Sequence, residues 1–241
     1  DGVYGTKGVA TPGNVPGARG GGCSWLDARG DAWLFGGRSM NDLWKWDGAN
    51  WTWISGSKDP GQSGTYGTKG LPASGNVPGA RDNAVSWSDA QGSLWLFGGL
   101  GYSGGVTGYL NDLWKWDGGN WTWVSGTDQL NHSGNASSVG GGSPENLPGA
   151  RRSAVSWKDL DGHLWLFGGY GYSASGLGWL NDLWRWNGTT WTWMSGSSTV
   201  GQDGVYGTKG VAAPGNVPGA RGGACSWLDA RGDAWLFGGR S

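Results

Sequence analysis

The chain repeats itself, and that repeat is what most limits the folds open to it. Pro-Gly-Ala-Arg recurs with its arginine at Arg19, Arg81, Arg151 and Arg221, at intervals of 62, 70 and 70 residues. Leu-Phe-Gly-Gly follows each time, its phenylalanine at Phe35, Phe97, Phe167 and Phe237, always 16 residues after the arginine. Asn-Asp-Leu-Trp then recurs from Asn41, Asn111 and Asn181, and Trp-Thr-Trp from Trp51, Trp121 and Trp191. The first interval is shorter because Arg38, Ser39 and Met40 stand where later copies use eleven residues, such as Leu100 to Leu110. A longer repeat overlies the short one. Residues 1–39 and 203–241 match at 37 of 39 positions, differing only at Thr11/Ala213 and Gly22/Ala224. The chain therefore reads as three units and the opening of a fourth.

Each unit holds four segments with strand character. The first runs from the arginine through Ser24-Trp25, and the second is Ala32 to Phe35. The third is Leu43 to Trp46, and the fourth Trp51 to Ile54. In the last two, Trp44 with Trp46 and Trp51 with Trp53 fall on one face and Lys45 and Thr52 on the other, the period of two that marks a strand. The second segment is apolar on both sides, as a strand between neighbouring sheets would be. Turn chemistry agrees. Asp27 to Gly30, Asp89 to Gly92 and Asp159 to Gly162 each open with Asp and close with Gly, a hairpin signal. Asp47-Gly48, Asp117-Gly118 and Asn187-Gly188 mark a second hairpin between segments three and four. With 53 Gly and 9 Pro in 241 residues the chain is rich in loops, yet its 21 Trp argue for a packed core. No stretch shows a sustained 3.6-residue apolar pattern, so no helix is predicted.

Four antiparallel strands with a Gly-Gly after the second, recurring every 60–70 residues, predict an all-β chain of propeller blades. The Pro-Gly-Ala-Arg, Leu-Phe-Gly-Gly, Leu-Asn-Asp-Leu-Trp and Trp-Thr-Trp series resembles kelch repeats, as in tandem bacterial kelch proteins and the propeller domain of galactose oxidase. The expected organisation is one propeller segment over 1–241, with three complete blades at about 18–56, 80–126 and 150–196 and a half blade at 220–241. Gly-rich inter-blade loops at 57–79, 127–149 and 197–219 join them. Four copies of the first two segments and three of the last two predict 14 strands. Closed propellers have whole blades. The half blade thus belongs to a longer array, is completed by head-to-tail oligomerisation, or closes an unusual four-bladed ring. Because 220–241 repeats 18–39, it can pair with segments three and four of another copy, which would relieve its exposed edge.

Net charge is -1, from 17 basic and 18 acidic residues, which gives no electrostatic reason to bind nucleic acid or anionic lipid. No apolar run approaches the ~18 residues of a membrane span, so no membrane insertion is expected. The opening residues lack a signal-peptide pattern, so any export signal lies upstream of Asp1 or is absent. Cys23 and Cys225 occupy one equivalent repeat position, expected to be buried beside Trp25 and Trp227. Five N-glycosylation patterns, at Asn50, Asn120, Asn131, Asn135 and Asn187, fit an extracellular or cell-surface setting.

Galactose oxidase-like chemistry, as the resemblance implies it, needs copper held by two tyrosines and two histidines, one tyrosine cross-linked to cysteine. Here His132 sits in a Gly/Ser-rich loop and His163 in a hairpin turn, neither at ligand spacing with another His, Cys or carboxylate cluster. No metal or other cofactor is expected. Paired-carboxylate hydrolysis finds one glutamate, Glu145, in a loop. Sialidase-type Asp boxes are matched in turn type alone, near Ser24 to Trp33. Arg29-Gly30-Asp31 and Arg231-Gly232-Asp233 spell an adhesion tripeptide, but other copies of the turn read differently. The aspartates repeat at turn positions in every unit, whereas a catalytic site breaks symmetry. The chain is therefore expected not to be an enzyme.

The most regular charges are Arg19, Arg81, Arg151 and Arg221 and the aspartates Asp42, Asp112 and Asp182. A repeated structural salt bridge is the first reading, and an arginine ring reading an anionic ligand the second. Most Trp recur at strand positions and are assigned to packing. Aromatics outside that pattern are Tyr102, Tyr109, Tyr172 and Trp179, in the long loops of the second and third units, with Tyr66 and Tyr206 in the inter-blade loops. These six are the candidate ligand contacts, since long loops often carry function. The expected function is a scaffold for structure or interaction, its partner itself or neighbouring blades, with protein or glycan as further candidates. A glycan-binding propeller using loop aromatics is the alternative, and a galactose oxidase-like or glycosidase-like enzyme a distant third.

Overall fold

The computed structural model describes residues 1–241 and contains strands and no helix. No helix is therefore long and apolar enough to cross a membrane. The first sheet has the order β1-β2-β3-β4, from Cys23–Leu26, Ala32–Gly37, Met40–Trp46 and Trp51–Ser55. The second is built from β5 (Arg81–Asp82), β6 (Val85–Ser88), β7 (Leu94–Ser103), β8 (Val106–Trp116) and β9 (Trp121–Ser125). Both β5 and β6 pair with β7, and β8 and β9 follow. The third repeats this with β10 (Arg151–Arg152), β11 (Val155–Lys158), β12 (Leu164–Ser173), β13 (Gly176–Trp186) and β14 (Trp191–Ser195). Last comes a two-stranded sheet, β15 (Cys225–Leu228) with β16 (Ala234–Phe237). All pairings between these strands are antiparallel. The architecture is that of propeller-type blades.

There are 16 strands rather than the 14 expected. The arginine-bearing segment splits in two in the second and third sheets, where Asn83 and Ser153 adopt a left-handed backbone (φ 54° in each). The Gly-Gly after the second strand is a β-bulge between Phe35 and Gly37. At Gly36 (φ 63°) a Cβ would stand 3.0 Å from the Arg81 carbonyl oxygen of the next sheet, so the bulge lets two sheets approach closely.

The chain forms two compact units, Asp1–Leu130 and Asn131–Ser241. In the first, sheet one packs on sheet two through Cys23, Trp25, Trp33, Phe35 and Leu43 against Leu94, Leu96, Trp114, Trp116 and Trp121. The Phe35 and Trp121 rings meet edge-on at 5.4 Å, and Trp25 Nε1 donates to the Trp95 carbonyl at 3.2 Å. Period-two alternation on facing strands supplies this apolar layer, the main favourable term in folding. In the second unit, β15 adjoins β11, where Ser226 Oγ donates to the Ser156 carbonyl at 3.1 Å. Nothing covers the other face of β15 and β16, which leaves Trp227 and Trp235 each 48% and Phe237 73% exposed. Cys225, expected to be buried, is exposed for the same reason, whereas Cys23 is buried.

Two further expectations change. The segments 100–110 and 170–180 are not long loops. They extend β7 into β8 and β12 into β13 as paired ribbons, with Gly101 opposite Gly108 and Tyr172 opposite Leu177. The long connections 57–79 and 127–149 are likewise tied down, clasping the outer strand of the sheet that follows them. In 57–79, Thr65 and Val77 bridge each other, Gly70 N–H donates to the Trp123 carbonyl at 2.8 Å, and Asn76 Nδ2 to the Trp121 carbonyl at 3.0 Å. Residues 1–17 clasp β4 in the same way through Gly8 to Trp53 (2.8 Å) and Asn14 to Trp51 (3.1 Å). Outer edges are thereby covered, which blocks unwanted strand pairing.

Candidate functional site

The repeated charges meet inside the sheets. Where the third strand leaves the Gly-Gly bulge, Asp112 is fully buried, and the Arg81 guanidinium reaches it from the start of β5 with both forks. Nη1 donates to Oδ1 at 2.6 Å and Nη2 to Oδ2 at 2.7 Å. The remaining Arg81 donors satisfy the Gly79 and Gly98 carbonyls at 3.0 and 2.8 Å. Asp112 Oδ2 also accepts from Trp114 Nε1 and from the Tyr66 hydroxyl, at 2.7 Å each. Sheet one repeats this with Arg19, Asp42, Trp44 and Tyr4. In sheet three Arg151 holds Asp182 at 2.6 and 2.7 Å, and Trp184 donates at 2.6 Å.

Burial alone would lower the Arg19 and Arg81 pKa values, but hydrogen bonding and charge pairing with Asp42 and Asp112 outweigh it and raise them. Burial, then Asp42, pushes the Tyr4 phenol up to about 12, and burial with the Asp112 charge raises Tyr66 as well. These phenols stay protonated and donate. With Arg81 and Arg151 almost wholly buried and their forks engaged, an arginine ring open to an anionic ligand is not what these sheets present. Arg221 has no third strand beside it, and its Nη2 donates instead to the Tyr206 hydroxyl at 3.1 Å.

The hairpin aspartates form a second repeated device. Asp89 Oδ1 accepts from the Gln91 and Ser93 amides, and Oδ2 from Trp95 Nε1, at 2.8 to 3.0 Å. Burial alone would raise the Asp89 pKa, yet these donors and Lys115 hold it below the carboxylate value of 3.8. Asp27, Asp159 and Asp229 shift the same way. A carboxylate depressed on folding stabilises the fold above its unfolded pKa and loses that contribution as pH falls through the lower folded value. Stability is thus expected to drop as pH falls below about 4, with a shallower drop in Asp89→Asn, read from denaturant midpoints between pH 5 and 2.

The candidate ligand contacts fall in several environments. Tyr102 and Tyr109 are half-buried on β7 and β8, and Tyr172 is half-buried on β12. Trp179 on β13 has the Tyr170 ring at 4.9 Å and the Arg240 guanidinium at 5.7 Å. Tyr66 belongs to the Asp112 network, and Tyr206 is 71% exposed. Sequence reasoning missed Tyr4, which does for Asp42 what Tyr66 does for Asp112. It also missed the asparagines of Asn-Asp-Leu-Trp. Asn41 Nδ2 donates to the Pro78 carbonyl of the next repeat at 3.2 Å, while its Oδ1 accepts from Ser57 N–H at 2.9 Å. The signal for Tyr4 lay in the near-identity of Gly2-Val3-Tyr4-Gly5 and Gly64-Thr65-Tyr66-Gly67.

One metal-capable group exists where none was expected. Asp159, Asp161 and His163 place ligand atoms within 4.8 Å of one another in the β11–β12 hairpin. The spacing is legible only once the turn closes, because Asp159 Oδ1 draws the His163 amide in at 2.8 Å. His132 lies elsewhere, its Nδ1 accepting from Gly134 N–H at 3.0 Å. Two carboxylates and one imidazole do not match a set of two tyrosines and two histidines, so no copper-dependent step follows for this chain.

Taken together, the fold and its buried networks define an all-β chain of antiparallel four-strand sheets of propeller-blade type. No known family profile matches the sequence, and no curated protein matches it. Among solved structures it is similar to a novel fungal alcohol oxidase of the AA5 family in complex with copper. The identity is 15% and the TM-score 0.42, over 91% of this chain and 47% of that one. The chain therefore spans about half the length of the structure it matches. This comparison corrects the expectation that the chain is not an enzyme: the similar structure is an oxidase, and the exclusion of catalysis is withdrawn. At such identity and TM-score none of that enzyme's chemistry is carried to this chain.

Proposed function

We propose that the chain is part of a kelch-like repeat scaffold, in an extracellular or cell-surface setting. Its half blade is a docking end, completed by third and fourth strands from a continuing array or from a second copy. The observation that carries this is the contrast between two nearly identical segments. In sheet one, Cys23, Trp25, Trp33 and Phe35 are 1–7% exposed, while their counterparts Trp227, Trp235 and Phe237 are 48–73% exposed. In sheet one that face is covered by the following sheet, so the exposed apolar face marks where a further sheet would pack beyond the completed half blade. Arg19 has Asp42 as its carboxylate partner, and the equivalent Arg221 has none on its own sheet. The glycan alternative has less support, because Tyr102, Tyr109, Tyr172 and Trp179 sit on paired strands, the Trp179 ring is flanked on two sides, and the Tyr66 hydroxyl is engaged by Asp112.

The test supplies the missing strands in trans. A fluorescein-labelled peptide of residues 40–56 is titrated into the full chain and followed by anisotropy. Saturable binding is expected, weakened roughly tenfold or more by Asp42→Asn in the peptide, because a charge-assisted bidentate pair to Arg221 is lost. Absence of binding, or indifference to Asp42→Asn, overturns the reading.

A further inference from the structure

The Tyr-Asp network is broken at one place. Tyr4 and Tyr66 occupy the same position in their clasps, and the third clasp carries Ala136 there, in Gly134-Asn135-Ala136-Ser137. The hydrogen-bonded frame is kept, although the backbone differs beside Ala136: Gly134 is left-handed (φ 79°), and Ser137 lacks the left-handed turn of Gly5 and Gly67. Asn135 and Leu147 exchange amide hydrogen bonds at 2.8 and 2.7 Å, as Thr65 and Val77 do at 2.8 and 3.0 Å. Gly140 N–H donates to the Trp193 carbonyl at 2.8 Å, as Gly70 does to Trp123. What is missing is the phenol. In the two complete cases its hydroxyl donates to the aspartate Oδ2 at 2.6 and 2.7 Å. Its ring lies 4.9 and 5.0 Å from Trp44 and Trp114, and 5.1 and 4.9 Å, edge-on, from Trp53 and Trp123.

The walls of that vacated space remain. Asp182, Trp184, Trp193, Arg151, Tyr172 and Ala136 border a cavity of about 190 Å³, and a cavity of about 150 Å³ suffices for benzene. The Asp182 side chain is 9% exposed where those of Asp42 and Asp112 are 0%. Asp182 Oδ2 keeps its bonds from Arg151 and Trp184 but has no tyrosine hydroxyl to accept from. A second change lies in the same clasp. Lys7 and Lys69 lie over Trp53 and Trp123 at 4.4 and 4.3 Å, and Val139 stands at their position in the sequence of the third clasp.

We propose that this cavity is a binding site for a free monocyclic phenol. The ligand's hydroxyl donates to Asp182 Oδ2, and its ring takes the place between Trp184 and Trp193 that tyrosine fills in the sister sheets. A small phenol is favoured over a tyrosine within a peptide, because the 134–140 backbone already occupies the position of a tyrosine's own main chain. Buried carboxylates gain most from a donor in such a setting, and indole edges and faces select a planar ring.

Calorimetric titration of the full chain with phenol, anisole and N-acetyltyrosinamide decides it. Phenol is expected to bind with one equivalent at about millimolar affinity or tighter. Anisole, which keeps the ring and loses the donor, is expected to bind roughly tenfold or more weakly. Ala136→Tyr should abolish phenol binding by refilling the space, and Tyr66→Ala should add a second equivalent. The ligand series needs no variant to fold. Equal binding of anisole, tighter binding of N-acetyltyrosinamide, no phenol binding, or phenol binding that survives Ala136→Tyr would each overturn the proposal.

Discussion

Replacing Asp112 with alanine is expected to cost about 3–5 kcal/mol, the penalty for leaving a buried charge without its counter-ion. Arg81 is 1% exposed, and its paired donors would face an apolar side chain with no water to replace the carboxylate. The Tyr66 hydroxyl and Trp114 Nε1 lose the same acceptor. A single substitution therefore orphans three side chains at once, and the unfolding midpoint in urea should fall accordingly. Arg81→Lys removes the planar fork while keeping the charge, and is expected to destabilise by less than Asp112→Ala. If Asp112→Ala unfolds at the wild-type midpoint, the buried network has no stabilising role. Asp182→Ala should cost less than Asp112→Ala, since no tyrosine depends on Asp182.

Gly126→Ala is expected to be among the most damaging changes at the glycines, at about 3 kcal/mol or more. Gly126 follows the fourth strand of sheet two with φ 82°, a conformation that alone costs an L-residue about 1–2 kcal/mol. A Cβ there would also collide with the Asn111 carbonyl oxygen, which belongs to backbone and cannot swing aside. The control is Gly118→Ala in the β8–β9 hairpin, where φ is 99° and nothing lies within 4 Å of the new Cβ. The difference between the two midpoints isolates the collision from the backbone term. Equal losses at both positions would show that strain alone is at work.

Much of this was legible in the sequence because the signals are local. Alternating tryptophans gave β3, β4 and their copies, and Asp-to-Gly turns gave the hairpins, since each depends on residues a few positions apart. The arginines and aspartates were legible as a regular pair because repetition stands in for contact. The ribbon extensions of β7 and β8 were not legible. Gly99 to Ser103 carry no apolar alternation, and their pairing continues a backbone ladder begun by Leu94 to Phe97. Cys225 shows another limit. Its neighbours in sequence are nearly those of Cys23, yet one thiol is exposed and the other is buried, with a pKa raised by burial to about 12. Burial there is set by the next sheet, not by the segment itself. The Asp159, Asp161 and His163 trio became visible only when the hairpin closed. The place of Ala136 could have been read by aligning the four clasps, where it alone interrupts the tyrosine.

The bond from Asn41 to the Pro78 carbonyl has a consequence for how stability is distributed. It fastens the third strand of sheet one to the approach of sheet two, so the first repeat borrows part of its order from its successor. Energetics of that kind follow nearest-neighbour coupling, in which intrinsic and interface contributions add along a line. Lengthening such a series would sharpen its melting and raise its midpoint, while trimming it would let the terminal repeat fray first.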